Sequence, residues 1–97
     1  MNVTEVLHDK GKKATEKRIA LVEAIKGGAL SSDELSAMTG ITEKDTAIIL
    51  EAMEEVSRAE PGLSNAAWLS FAEEYIEADN NTLKREASRV IGNIAAL

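Results

Sequence analysis

The sequence contains no cysteine among its 97 residues, and its single proline is Pro61. Disulfides, thiolate metal ligands and cysteine nucleophiles are therefore excluded. No apolar run approaches the ~18 residues that a membrane-spanning helix needs. The N-terminal segment also lacks the apolar centre of a secretion signal. We therefore expect one domain of a soluble, cytoplasmic protein.

Aromatic residues are also scarce, and the only ones are Trp68, Phe71 and Tyr75. The rest of the core must come from aliphatic residues and Met. Alanine is abundant, and the β-branched residues are scattered rather than alternating with polar ones. This combination favours an all-α protein.

Apolar residues recur at helical spacing in several segments separated by polar or glycine-containing turns. The pattern predicts six helices, at 3–10, 14–26, 32–39, 43–59, 64–78 and 82–96. Five of them have helix-start residues, with alternatives at the last two. These are Thr15, the Ser31–Ser32 pair followed by Asp33 and Glu34, Thr42, Ser64 or Asn65, and Asn81 or Thr82. The glycine pair at 27–28 is a typical helix end.

The predicted helices have clear apolar rows. Helix 14–26 has Ile19, Val22 and Ile25 in one row, with Leu21 alongside. Helix 43–59 has two rows, made of Ile49, Met53 and Val56 and of Ile48, Ala52 and Ala59. Helix 64–78 is expected to turn one row inward, namely Trp68 or Leu69, Ala72, Tyr75 and Ile76. The last helix carries a continuous stripe of Leu83, Ala87, Val90, Ile91 and Ile94.

The stretch from Asp79 to Ile94 resembles the second helix of a HEAT repeat. In that family, a turn containing Asp is followed by an aliphatic residue, by Ala four positions later and by an aliphatic–Gly pair further on. In this sequence the matching residues are Leu83, Ala87, Ile91 and Gly92. Lys84 stands where the family usually has Arg, and Arg85 follows it. The segment 68–78 is similar to the family's first helix, and residues 14–59 form a weaker, irregular first repeat.

This resemblance implies an all-α fold of stacked antiparallel helical hairpins, a HEAT-like right-handed superhelix. Small residues such as Ala87 and Gly92 would let neighbouring helices approach closely. The resemblance also implies a non-enzymatic scaffold that binds a protein partner in a groove lined by helix 82–96 and by helix 43–59. A stable stack usually has about three such units, and this sequence contains two at most. We therefore expect either that residues 1–97 are the N-terminal part of a longer repeat protein, or that the chain self-associates through its last helix.

A second resemblance gives an alternative function. Residues 31–57 resemble a helix-turn-helix, with a short helix, Gly40 in the turn and a longer second helix. That second helix begins Thr42–Glu43–Lys44–Asp45, without the Arg, Asn or Gln that reads base edges. Residues 32–60 carry eight acidic and two basic side chains of a chain whose net charge is −6. A nucleic-acid-binding regulator is therefore the less favoured interpretation.

The sequence contains no arrangement typical of an active site, and we expect neither enzymatic activity nor a cofactor. Glu5 and His8 have the spacing of a metal-binding pair, but His8 is the only histidine. The two acidic clusters 51, 54, 55 and 73, 74, 77 are either solvated helix faces or sites for a cation or basic partner. Lys84, Arg85 and Arg89 are the candidate partner-binding residues; the alternative is pairing within the chain, with Asp79 and Glu86.

Overall fold

Four α-helices make up most of the described part of the chain. The computed structural model describes residues 6–8, 11–28 and 41–95. We number the helices α1 (Ala14–Lys26), α2 (Glu43–Ala59), α3 (Ala66–Glu73) and α4 (Asn81–Ala95), and a 3₁₀ turn, Pro61–Leu63, lies between α2 and α3. These described ranges contain no β-strand, so the prediction of an all-α protein is confirmed at this level.

Two predicted helices, 14–26 and 43–59, have the predicted bounds. The last begins one residue earlier than predicted and is described as far as Ala95. The predicted helix 64–78 is shorter, because α3 ends at Glu73 and residues 74–77 form tight turns instead. Backbone N–H groups of Glu74 and Tyr75 bond three residues back, to Phe71 and Ala72. Like charges at Glu73, Glu74 and Glu77 disfavour a regular helix there.

The predicted helices 3–10 and 32–39 lie wholly or largely outside the described residues. Of the first, only residues 6–8 are described, and Val6 and Leu7 are helical and buried. The Lys17 ammonium donates a 2.6 Å hydrogen bond to the Leu7 carbonyl, which links this short segment to α1.

Side-chain caps set the start of three helices. The Thr42 hydroxyl accepts the N–H of Asp45, and the Asn65 side chain accepts the N–H groups of Ala67 and Trp68. Thr42 was predicted, and Asn65 was one of the two predicted alternatives, with Ser64. At α4 the cap is Asn80, whose oxygen accepts from the N–H groups of residues 82 and 83, so the prediction of Asn81 or Thr82 was wrong by one or two residues. Thr15 lies inside α1 and does not cap it.

Helix α2 is the centre of the fold. It packs against α1 on one side and α4 on another, and α4 also packs against α3. The side chains that these contacts bury are almost all aliphatic: Val6, Leu7, Leu21, Val22, Ile25, Ile48, Ile49, Leu50, Ala52, Met53, Val56, Trp68, Phe71, Ala72, Leu83, Ala87 and Val90. In the described part of the chain, no helix is both long and apolar enough to cross a membrane.

Three residues assigned to inward rows are exposed instead. Ile19 is 54% exposed because a row of residues spaced by three drifts ~60° per step around the helix, so only Val22 and Ile25 stay on the buried side. Ala59 is exposed at the last position of α2. Ile76 is exposed in the turns after α3, where helical spacing no longer applies.

Candidate functional site

Lys84, Arg85 and Arg89, the basic residues that the sequence singled out, share the outward side of α4. All three are exposed, and Ser88 and Gly92 lie among them. We call these five residues the basic face. Helical spacing explains it, because Leu83, Ala87 and Val90 are buried on the opposite side of the same helix. After Arg58, the chain has no basic residues except the three in this face.

A buried carboxylate lies beside the basic face. Glu86 is 7% exposed, and its Oε1 lies 3.3 Å from Arg89 Nη1 and 3.8 Å from Arg85 Nε. The predicted pairing of Arg89 with Glu86 is confirmed, and Arg85 also approaches Glu86. Glu86 therefore restrains both arginines while more than half of each arginine side chain stays in solvent. Such pre-positioned guanidinium groups suit recognition of carboxylates.

A polar cleft of about 240 Å³ opens next to Glu86, where α1, α2 and α4 meet. Three arginines and four glutamates line it: Arg18, Arg58, Arg89, Glu51, Glu54, Glu55 and Glu86. Arg18 Nη1 bonds Glu55 Oε1 at 2.9 Å across the α1–α2 contact, and Arg58 Nε lies 3.3 Å from Glu54 Oε1. The charges in the cleft thus largely neutralise one another.

The two acidic clusters differ in their surroundings. Glu51, Glu54 and Glu55 are half-buried in the cleft, so they are not simply a solvated face. Glu73, Glu74 and Glu77 are exposed at the end of α3 and in the turns after it. Among the described residues, no ion pair joins any of these last three to a cation.

A hydrogen-bonded contact joins the two helices that form most of the cleft. The Asn93 amide of α4 donates to the Ser57 hydroxyl at 3.2 Å and to the Glu54 carbonyl at 3.3 Å. Ser57 is 1% exposed and itself donates to the Glu54 carbonyl. This contact fixes the position of α4 along α2, because a shift by one residue would leave buried polar groups unpaired.

Sequence reasoning missed the cleft and the burial of Glu86. Arg18 and Glu55 are 37 positions apart, and no local pattern relates them. Glu86, however, lies three residues after Leu83 and four before Val90, and this spacing places it on the buried side of a helix. That signal was available in the sequence.

The described residues do not form a metal-binding group of three or more His, Asp or Glu side chains. His8 is exposed, and Glu5, its proposed partner, lies outside the described residues.

The first half of the helix-turn-helix stretch, 31–40, lies outside the described residues too. Its second helix, α2, is buried over most of its length, and at its start the Glu43 carboxylate accepts a 2.9 Å hydrogen bond from Asn80. Because the first turn of α2 is acidic and much of the helix surface is buried, little of this helix is available to enter a DNA groove.

Comparisons of the chain with protein-family models, with curated proteins and with solved structures gave no match.

Proposed function

We propose that this protein is a non-enzymatic, HEAT-like interaction module that binds a protein partner through the basic face of α4. The observation that carries the proposal is the charge of that face. Lys84, Arg85 and Arg89 are exposed together, and the one acidic residue of α4, Glu86, is buried beside them, in a chain of net charge −6. A concentrated charge opposite in sign to the rest of the molecule favours a partner with an acidic segment.

The packing of the helices supports the HEAT-like part of the proposal. Helices α1 and α2 pack together, as do α3 and α4, and the second members of these pairs, α2 and α4, form the most extensive contact of the described residues. The polar cleft lies between α2 and α4, and Arg18 of α1 also lines it. The groove implied by the resemblance would be lined by these same two helices.

One family feature departs from the expected pattern. Ala87 is fully buried, as a close helix contact requires. Gly92 is exposed, and a Cβ added to it would meet no atom of the described residues within 4 Å. Gly92 therefore serves no close packing among these residues, so the proposal rests on the charge of the face.

The test is affinity capture from the organism that carries the gene, with partners quantified by mass spectrometry. The variant K84Q/R85Q/R89Q removes three positive charges from the basic face. The matched control K13Q/K26Q/K44Q removes three from exposed lysines elsewhere. We expect the wild type and the control to capture acidic partners, and we expect the first variant to lose them. Equal recovery by all three proteins, or no partner above background, would overturn the proposal.

A further inference from the structure

The acidic residues at the end of α3 match the basic face in number. Glu73, Glu74 and Glu77 lie within five consecutive positions, and Lys84, Arg85 and Arg89 lie within six. Each surface therefore concentrates three charges of one sign in a short stretch of the chain. We call Glu73, Glu74, Ile76 and Glu77 the acidic ridge. All its members are exposed, and its three carboxylates have no ion-pair partner among the described residues.

We infer that the basic face of one copy of this chain docks the acidic ridge of a second copy. This rests on the proposed function, since it names the partner that the basic face takes. Every molecule carries both halves of the contact, three cations on one and three carboxylates on the other. Opposed charges steer such surfaces together and set their register.

Each surface also has a feature that the other would accommodate. Ile76 is an exposed apolar side chain, 38% accessible, among the carboxylates of the ridge. On the basic face, Gly92 has no side chain, and a Cβ added to it would meet no atom of the described residues within 4 Å, so the space over it is open. Ile76 of one copy would enter this space, and the charged side chains would pair around it. Interfaces commonly have this arrangement, with an apolar centre surrounded by a polar rim.

The contact is expected to be weak, because exposed ion pairs contribute little individually and salt screens them. A dissociation constant on the order of 0.1–1 mM at low ionic strength is expected, typical of a transient association through a small interface. The two surfaces differ, so copies can add head to tail and the apparent mass should rise gradually with concentration.

Sedimentation at a series of concentrations up to ~1 mM, in about 20 mM salt where screening is weak, tests the inference. The wild type should associate, and ~0.3 M salt should reduce the association at least ~10-fold. K84Q/R85Q/R89Q and E73Q/E74Q/E77Q should each stay monomeric, because each lacks one half of the contact. Mixed together, they should form a 1:1 complex, since each supplies the half that the other lacks.

Matched controls separate this contact from a general effect of charge. K13Q/K26Q/K44Q and E16Q/E23Q/E60Q change exposed side chains elsewhere by the same charge and should associate like the wild type. I76A, which changes no charge, should weaken association at least ~5-fold. Circular dichroism should show the same helix content in every variant, because all the changed side chains are exposed.

A wild type that stays monomeric at ~1 mM in low salt would overturn the inference, and so would single-surface variants that associate as well as the wild type. A failure of the mixed variants to form a complex would overturn it too. A monomeric wild type that still captures acidic partners through Lys84, Arg85 and Arg89 would overturn only this inference and would support the proposed function.

Discussion

Arg18 Nη1 lies 2.9 Å from Glu55 Oε1, and this ion pair joins α1 to α2 across 37 positions of sequence. Both side chains are more than half shielded from water, at 28% and 38% exposure. A double-mutant cycle with R18A and E55A is expected to give a coupling free energy of ~0.5–1 kcal/mol in denaturant unfolding. The local pair Arg58–Glu54 serves as a control and should couple by only ~0.3–0.5 kcal/mol. Zero coupling between Arg18 and Glu55 would show that this ion pair does not stabilise the contact between α1 and α2.

Replacing Glu86 by Leu is expected to leave the free energy of unfolding unchanged or to raise it by up to ~1 kcal/mol. Glu86 lies on the buried side of α4, where Leu would add apolar contact. Its partners Arg85 and Arg89 are each 56% exposed, so both stay solvated when the carboxylate is removed. Urea unfolding measures the change, and a loss above ~2 kcal/mol would show that the ion pairs stabilise the fold more than burial does.

The same residue gives a functional prediction. E86Q removes a negative charge next to the two arginines and thereby raises the net positive charge of the basic face. Binding of an acidic partner, or of the acidic ridge of a second copy, should strengthen by about 2- to 5-fold at low salt. Titration of E86Q and wild type side by side checks this, and weaker binding by E86Q would mean that Glu86 acts mainly by positioning the arginines.

Alanine substitution at two glycines should change stability in opposite directions. Gly92 is an exposed residue inside α4, and a Cβ there would meet no other atom within 4 Å, so G92A should stabilise the protein by ~0.5–1 kcal/mol. Gly28 has a φ of 106° in the turn after α1, so G28A should destabilise it by ~1–2 kcal/mol. Thermal unfolding of both variants provides the measurement, and a loss of stability in G92A would indicate a packing role for that glycine.

Asn80 is expected to matter more than Asn81 for the stability of α4. The Asn80 oxygen accepts two backbone N–H groups, and its amide donates to Glu43. N80A should cost ~1 kcal/mol. Asn81 is exposed at the first position of the helix, and N81A should cost less than ~0.5 kcal/mol. Equal losses in the two variants would argue against the Asn80 cap.

Local patterns predicted most of the helices. The Thr42 cap and the Ile49–Met53–Val56 row located α2, and the glycine pair at 27–28 located the end of α1. These signals succeed because a capping hydrogen bond or a four-residue apolar spacing acts within one or two turns of the chain. They failed at α3, whose C-terminal turns contain three glutamates, and at Ile19, where spacing by three residues follows the buried side only briefly.

The candidate site was also predictable from the sequence only in part. The sequence by itself determined that Lys84, Arg85 and Arg89 share one side of a helix, because the spacing of Leu83, Ala87 and Val90 orients that helix against the core. Only the tertiary structure decided that Arg18 meets Glu55 and that Glu86 lines the same cleft between three helices. Those contacts depend on how α1, α2 and α4 pack together, and that packing is set by the shapes of many buried side chains at once.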